Sequence, residues 1–355
     1  MIQNRDLGLR KGYFTLQWHV TSECPNRCKH CYIEDFERGK ELSFETCLEI
    51  IDDFHKMLSD LNVPGRINLT GGDPLSRPDI YKLIDYAVQK KIMVGILGNP
   101  DLLDYTIASR LKKLGVVRYQ ISIDGLEETH DSLRSPGSFQ RSLRGLRMLN
   151  RVGIPSVTMF TLSKLNAKDL IPVIRLMAKE NVYIFDFARL VPIGRGKDLK
   201  NEMFEPLEYR DLLLRVLEEY KELQEAGFRT IFGRKDHLWK LLYTELGLWR
   251  PLLNQGKKII YSGCSIGINL LTILSEGTVY SCRRVPITIG KVPEQSLLEI
   301  FLNSEKLSEM RQEEKIESCN QCELWQFCRG CRAVAFGTSG SYFAPDPQCW
   351  KREEK

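Results

Sequence analysis

Short apolar, β-branched runs alternate with longer stretches of helical periodicity through the first half of the chain. This alternation is typical of parallel βα units, in which each strand is followed by a helix that packs on the sheet. We predict six strands: Tyr13–Val20, Arg66–Thr70, Ile92–Leu97, Val116–Ile123, Ile154–Leu162 and Val182–Leu190. The pattern therefore predicts an α/β fold that is two units short of a closed eight-stranded barrel.

The helices between these strands are marked by caps and apolar stripes. Ser43 is expected to cap a helix whose buried stripe is Cys47, Ile51, Phe54 and Leu58. Asp79 is expected to open a second helix, whose stripe is Ile80, Leu83, Ile84, Ala87 and Val88. Later helices are predicted to begin at Asp101, Ser138 and Asn166.

The chain changes character twice after the last predicted strand. Residues 201–262 are predicted to form a helical bridge, which contains a helix from Pro206 to Gly227 and then a stretch rich in basic and aromatic residues. That stretch (Arg234, Lys235, His237, Trp239, Tyr243, Trp249, Arg250) is expected either to pack on the barrel or to form a wall that contacts substrate. Residues 263–355 consist of short, glycine-rich segments that are also rich in cysteine. We therefore expect three parts: a barrel over 1–200, the bridge, and a C-terminal domain.

Composition narrows the class of protein. The chain has 355 residues, of which 43% are hydrophobic and 27% charged, as is usual for a soluble globular protein. It contains neither a run long enough to cross a bilayer nor an apolar signal-peptide region, so a cytoplasmic location is expected. In that compartment eleven cysteines indicate metal binding rather than disulfides. The net charge of +5 is mild, and no basic stripe with interleaved aromatics predicts nucleic-acid binding.

Three of the cysteines lie in one short loop, directly after the first predicted strand. The loop runs Cys24-Pro-Asn-Arg-Cys28-Lys-His-Cys31-Tyr32. Three thiolates on a tight loop can bind three corners of an iron–sulfur cube and leave one iron open. The alternatives are a structural zinc loop, which needs a fourth ligand that this loop does not contain, and three unrelated core cysteines, which would not be expected to cluster in this way.

The spacing C-x3-C-x2-C, with an aromatic residue next to it, resembles the signature of the radical S-adenosylmethionine (SAM) superfamily. The resemblance implies an open partial (β/α)6 barrel and a [4Fe–4S] cluster held by Cys24, Cys28 and Cys31. It also implies that SAM chelates the open iron and is cleaved reductively to a 5′-deoxyadenosyl radical. That radical would then take a hydrogen atom from the substrate.

Further motifs follow the later strands and resemble the SAM-binding segments of the same family. Thr70-Gly71-Gly72-Asp73-Pro74 resembles a Gly-Gly-Glu-Pro motif that binds the SAM amino group, although Asp73 is one methylene shorter than glutamate. Ser122 and Asp124 share one face of the fourth strand, and Arg134 is expected to bind the SAM carboxylate. The SAM contacts that the resemblance implies are Tyr32, Gly71, Gly72, Asp73, Asn99, Ser122, Asp124 and Arg134.

Seven cysteines near the C-terminus resemble the SPASM extension, which typically carries two auxiliary [4Fe–4S] clusters. The resemblance assigns one cluster to Cys319, Cys322, Cys328 and Cys349, and the other to Cys264, Cys282 and Cys331. The second set is one ligand short, so an open iron or a non-cysteine ligand is expected there. A zinc ribbon would explain the two C-x2-C pairs but not Cys264, Cys282 and Cys349. The remaining cysteine, Cys47, is expected to be a buried core thiol, with hydrogen-atom donation as the alternative.

These features predict an oxygen-sensitive radical SAM/SPASM oxidoreductase that modifies a C–H bond oxidatively. The substrate expected first is a ribosomally made peptide, which would be crosslinked or dehydrogenated. The alternatives are oxidative decarboxylation of a haem-pathway tetrapyrrole or other small molecule, sulfatase maturation, and a non-catalytic iron–sulfur electron carrier. Expected partners are a flavodoxin or ferredoxin as reductant and a separate leader-peptide-recognition protein, because only about a dozen residues precede the first strand.

Overall fold

The computed structural model describes residues 12–34, 36, 41–251 and 260–352. Ten strands form a single sheet: Phe14–Thr21 (β1), Gly65–Gly71 (β2), Met93–Leu97 (β3), Arg118–Ser122 (β4), Ser156–Leu162 (β5), Ile184–Arg189 (β6), Ile231–Phe232 (β7), Leu270–Ile273 (β8), Thr278–Cys282 (β9) and Val285–Lys291 (β10). The spatial order is β10-β9-β8-β1-β2-β3-β4-β5-β6-β7. Strands β8 to β7 run parallel along this order, and β9 and β10 add an antiparallel hairpin at one edge. The described strands therefore form an open sheet, and all six predicted strands are confirmed.

The helices are Phe44–Leu61 (α1), Ile80–Gln89 (α2), Tyr105–Lys113 (α3), Glu127–Leu133 (α4), Ser138–Val152 (α5), Leu170–Lys179 (α6), Pro206–Glu225 (α7), Trp239–Glu245 (α8), Leu297–Asn303 (α9), Glu305–Met310 (α10) and Arg332–Ser339 (α11). Their apolar faces join the strands in one core. Ser43 caps α1 as predicted, because its hydroxyl accepts from the Thr46 amide at 3.1 Å. Across the described ranges, no helix combines the length and the apolar character that a bilayer crossing requires.

The helix starts predicted at Asp101 and Asn166 are wrong, because both side chains make hydrogen bonds to other parts of the fold. Asp104, not Asp101, caps α3, while Asp101 accepts hydrogen bonds from Asn26 and Arg141 at 3.0 and 2.6 Å. Asn166 lies inside a short 3-10 turn before α6, where its side-chain amide donates to the carbonyl oxygens of Asp124 and Thr161. Short-range cap signals do not distinguish a helix start from a side chain that fastens neighbouring strands.

The bridge and the C-terminal part both add strands to the barrel sheet. Strand β7 comes from the bridge and pairs with β6, whereas β8 pairs with β1 at the opposite side of the parallel array. In the bridge, Trp239 is fully buried against Phe187 and Tyr220, as expected for packing on the barrel. Lys235 and His237 instead line a cavity that also contains Cys264, Cys282 and Cys331. Residues 1–11 and the part of the bridge at 252–259 lie outside the described residues.

Candidate functional site

The three cysteines of the N-terminal loop line one cavity at the carboxyl ends of β1 to β6. The side-chain amide of Asn99 donates to the Cys24 sulfur at 3.3 Å, and Nη1 of Arg134 lies 3.7 Å from the Cys28 sulfur. Burial raises the pKa of the Cys24 thiol, and it raises the pKa of Cys31 to about 11. Against this burial, the hydrogen bond from Asn99 lowers the pKa of Cys24 and the charge of Arg134 lowers that of Cys31, so both favour the thiolate form that binds iron.

The loop is held in place from several sides. Asn26 donates to Asp101 at 3.0 Å and accepts from Ser135, and the Lys29 amide donates to the Leu133 carbonyl at the end of α4. Gly194 packs against the other end of the loop with φ +56°, where an added Cβ would lie 2.5 Å from the Tyr32 carbonyl group. The surrounding fold therefore positions the loop that carries the sulfurs.

The paired glycines after β2 are required for the same positioning. Gly71 has φ +122°, and a Cβ there would lie 2.2 Å from the Thr21 oxygen. A Cβ on Gly72 would lie 1.9 Å from the Glu23 oxygen. The Gly72 amide donates to Thr21 at 2.9 Å, so the end of β2 lies directly against the chain that leads into the cysteine loop. Both glycines also line the cavity.

Asp73 lies behind the cavity wall and does not line it. Its side chain is fully buried and Oδ1 accepts from the Leu75 amide at 3.3 Å. Oδ2 is buried without a hydrogen-bond partner among the described residues. Burial raises the pKa of this carboxyl to about 7.

Asp124 is also buried behind the wall, where it orients two cavity residues. Oδ2 accepts from Nε of Arg134 at 2.5 Å and lies 3.1 Å from Nε2 of His30, while Oδ1 accepts from the Thr161 amide at 2.6 Å. Burial alone would raise the pKa of Asp124, but Arg134 and His30 hold it below its usual range. Sequence reasoning missed His30, although the residue lies between two of the loop cysteines.

The remaining predicted SAM contacts lie at the same cavity. Ser122 lines it at the end of β4. Tyr32 lines it too, with its hydroxyl 3.2 Å from Nε2 of His19 and its ring 5.1 Å from the guanidinium of Arg283. Arg283, which the sequence analysis did not select, comes from the C-terminal part of the chain and connects it to the cysteine loop.

The donor set of the loop fits an iron–sulfur cluster. Its three soft thiolates line one cavity, as the ligands to separate irons of a cube do.

The late cysteines fall into the two groups that the resemblance implied. Cys319, Cys322, Cys328 and Cys349 line one small cavity. Cys264, Cys282 and Cys331 line a second, much larger one of about 590 Å³, which we call the chamber and which also contains His237 and Arg284. Burial raises the pKa of Cys319 to about 12 and that of Cys331 to about 11, the latter against the charge of Arg284. Cys47 lies in the α1 core, 1% exposed and away from these cavities.

A buried arginine joins the barrel to both groups of late cysteines. Arg189, at the end of β6, donates to Asp236 at 2.7 Å and to both oxygens of Asp346 at 2.7 Å. Asp346 in turn accepts from the Cys331 amide at 2.7 Å, and its carbonyl accepts from the Cys349 amide at 3.2 Å. Arg189 is not among the residues predicted from the sequence, because no local motif relates it to Asp236 and Asp346, which lie far away along the chain.

Comparison with known proteins agrees with this geometry. The profile of the radical SAM superfamily matches residues 18–177, and that of the SPASM iron–sulfur cluster-binding domain matches residues 264–323. The AdoMet-dependent haem synthase of Nitratidesulfovibrio vulgaris is 30% identical over 339 residues, with 94% of this chain and 91% of that protein covered. The protein of the same name from Methanosarcina barkeri is 29% identical and covers 96% and 97%.

A solved structure shares the fold. Streptococcus suis SuiB bound to S-adenosylmethionine superposes with a TM-score of 0.75 at 18% identity, over 96% of this chain and 77% of SuiB. The expected α/β fold, a partial barrel followed by a cysteine-rich domain, is thereby confirmed. The chain belongs to the radical SAM superfamily, and it is an enzyme of the SPASM-containing group that uses SAM together with iron–sulfur clusters.

Proposed function

We propose that the protein catalyses SAM-dependent oxidative decarboxylation of a propionate side chain on a tetrapyrrole. The observation that carries the proposal is the chamber, which adjoins the cavity lined by the cysteine loop (the SAM cavity) and is itself lined by Cys264, Cys282 and Cys331. Its volume of about 590 Å³ is within the range of about 300–1,000 Å³ usual for sites that hold one small molecule.

The chamber is strongly cationic. Its described lining contains the cationic side chains Arg66, Arg118, Lys235, Arg283 and Arg284, and a single acidic one, Asp186. Lys235 lines both this chamber and the cavity at the cysteine loop, and burial together with Arg283 and Arg284 lowers its pKa to about 7. A surplus of positive charge around one cavity is stabilised by an anionic ligand, so the lining favours a substrate with several carboxylates.

The SAM cavity and the chamber share part of their walls. Leu97, Gln120, Met159, Lys235, Arg283 and Arg284 line both. A carboxylate held by Lys235, Arg283 or Arg284 would therefore lie beside the SAM site. The same substrate would also reach Cys264, Cys282 and Cys331, which line the chamber.

The site residues divide between two tasks. We assign Cys24, Cys28 and Cys31 to the radical-generating cluster, and Gly71, Gly72, Asn99, Ser122 and Arg134 to SAM, with Asp124 as the residue that orients Arg134. When bound, SAM and its cluster would supply an organic radical that removes one hydrogen atom from the propionate chain. Loss of CO2 from the resulting radical would leave a vinyl group and one electron, and an auxiliary iron–sulfur cluster held by Cys264, Cys282 and Cys331 would supply the acceptor for that electron.

The relatives named as haem synthases support this substrate class over the peptide that the sequence favoured first. SuiB has also been solved with its precursor peptide SuiA, but that likeness, at 18% identity, concerns the fold alone. Nothing in the described lining favours a peptide over a compact polycarboxylate. The peptide substrate, the sulfatase substrate and the partner proteins stay predictions from the sequence.

The test is anaerobic turnover with the reconstituted protein, dithionite, SAM and iron coproporphyrin, a tetrapyrrole with four propionates. We expect 5′-deoxyadenosine to form together with ¹³CO2 from carboxyl-labelled substrate. Cys28→Ala should abolish both products, and Cys47→Ala should retain both, because Cys47 lies in the α1 core. If an acidic peptide stimulates 5′-deoxyadenosine formation and the porphyrin does not, the tetrapyrrole assignment is wrong.

A further inference from the structure

Two arginines lie at the end of the chamber that is remote from the cysteine loop. Arg66 is at the start of β2 and Arg118 is at the start of β4, and both line the chamber. Strand residues two apart point to the same face. The inward row of β2 therefore runs from Arg66 to Thr70 at the SAM cavity, and that of β4 runs from Arg118 to Ser122. At about 3.3 Å per residue, Arg66 lies about 13 Å along β2 from Thr70. Arg118 lies about 13 Å along β4 from Ser122 and about 7 Å from Gln120, which also lines the SAM cavity.

Neither arginine pairs with a carboxylate in the part of the chain that the structure describes. Nη2 of Arg66 donates to Thr15 at 3.3 Å, and Nη2 of Arg118 donates to Asn68 at 3.0 Å. Both acceptors are neutral. The Nε atom of each arginine is buried without an acceptor. Burial, followed by the charge of Arg66, lowers the pKa of Arg118 to about 10.

Two neighbouring guanidinium groups without an anion are unfavourable for the folded protein. Buried charges are usually paired, because removing them from water is costly unless an opposite charge compensates. Guanidinium groups also present planar pairs of donors that match the oxygens of a carboxylate. The chemistry of the pair is therefore complementary to a carboxylate that enters the chamber.

The backbone leaves room for this arrangement. Strand β3 lies between β2 and β4, and Gly95 pairs in register with both Asn68 and Arg118. An added Cβ at Gly95 would lie 3.0 Å from Oδ1 of Asn68 and 3.2 Å from Nε of Arg118. A side chain at this position would crowd the guanidinium and its partner, whereas glycine leaves them free to face the chamber.

We propose that Arg66 and Arg118 form a distal carboxylate-binding subsite, which holds the edge of the substrate opposite the reacting side chain. The inference rests on the proposed function, since it assumes a substrate with carboxylates on opposite edges. It extends that function by naming a specificity determinant. One carboxylate is held beside the SAM site, and a second is bound at the far end of the chamber, so a substrate with carboxylates on one edge alone binds less tightly.

The test measures equilibrium binding of iron coproporphyrin to the reconstituted enzyme by anaerobic absorbance titration. The probe is compared with iron mesoporphyrin, whose two propionates lie on one edge. We expect the wild type to prefer coproporphyrin, and Arg66→Gln/Arg118→Gln to weaken its binding by roughly 10- to 100-fold and remove the preference. Arg66→Lys/Arg118→Lys should restore part of the affinity because it keeps the charge. Arg151→Gln, an exposed position on α5, is the matched control and should bind as the wild type does.

The outcomes separate the two proposals. Coproporphyrin binding by the wild type with unchanged affinity in the double glutamine variant overturns the distal subsite and leaves the proposed function intact. Failure of the wild type to bind coproporphyrin at all overturns both. Iron content and near-ultraviolet circular dichroism report whether each variant is folded. If the double variant does not fold, Arg118→Gln alone decides the matter, because loss of one donor group should still reduce the preference.

Discussion

The connection between the barrel and the auxiliary cysteines depends on one buried side chain, and Arg189→Gln tests it. The Arg189 side chain is 1% exposed, and it is hydrogen-bonded to Asp236, Asp346 and Gln348. Removing the guanidinium leaves two buried carboxylates without their counter-charge. Breaking a buried ion pair in this way costs about 3–5 kcal/mol of the free energy of unfolding.

The expected change in melting temperature follows from the size of the chain. Unfolding entropy is about 2.1 cal/mol/K per residue, which for 355 residues is about 0.75 kcal/mol/K. The loss should therefore lower the melting temperature by about 4–7 °C. Because Asp346 holds the Cys331 amide, we also expect auxiliary iron to be lost while the cluster of the N-terminal loop is retained.

The assay compares thermal unfolding and iron content of anaerobic wild type, Arg189→Gln and Arg147→Gln. Arg147 makes a two-pronged ion pair with Glu180, but its side chain is 59% exposed. That control should lose less than about 1 kcal/mol. In Arg189→Gln/Asp346→Asn one uncompensated charge is removed, so the double variant should be less destabilised than the sum of the single variants.

The pH dependence gives a second check on the same network. Burial would raise the pKa of Asp346, and Arg189 holds it below its usual range. In the wild type this contribution to stability is present above the unfolded pKa of about 3.9 and is lost as the pH falls below it. Without Arg189, burial acts unopposed, so the destabilisation should be larger at pH 7 than at pH 5. A variant as stable as Arg147→Gln, with full iron content, would refute the reasoning.

Three further predictions concern the cysteine loop and the groups behind it. Gly71→Ala should prevent correct assembly of the cysteine loop, because the added Cβ would lie 2.2 Å from the Thr21 oxygen at φ +122°. We expect the iron of the loop to be lost and the auxiliary iron to be retained. Gly227→Ala is the control for backbone strain alone, because Gly227 has φ +82° and open space around it. Asp73→Asn should stabilise the protein at pH 8. Burial raises the pKa of Asp73 to about 7, so its cost to stability builds up between the unfolded pKa of about 3.9 and pH 7 and is fully present at pH 8. Equal stability of variant and wild type at pH 8 would contradict this, and weaker SAM binding by the variant would favour a contact with the SAM amino group. Burial lowers the pKa of His130 to about 4, so between pH 7 and pH 5 this residue takes up a proton in the unfolded chain but not in the folded protein. The difference should cost about 2 kcal/mol of stability over that range. His130→Gln should flatten this pH dependence in denaturant titrations, and an unchanged slope would count against it.

Local pattern was sufficient for most of the fold. The six strands follow from apolar, β-branched runs, and α1 follows from its stripe and from the Ser43 cap, since each signal lies within a few residues of the element that it predicts. The cysteine spacings were equally informative, because thiols on a short loop cannot lie far apart whatever the rest of the chain does. Hence the family and its cofactors could be named from the sequence, whereas the division of the late cysteines into two groups came from the resemblance to the SPASM extension and not from their spacing.

The tertiary structure decided what lies between these parts. The sequence placed Asp73 and Asp124 beside Gly72 and Ser122 as SAM contacts, but the folded chain buries both carboxylates behind the wall, where Asp124 orients Arg134. The inward rows that begin at Arg66 and Arg118 are two-residue alternations present in the sequence, yet their charges form one chamber only after β2, β3 and β4 are aligned. Arg189 and Asp346 are 157 residues apart, and no local rule relates them. Spacing determines which ligands can share a metal, whereas the pairing of distant charges depends on how the whole sheet folds.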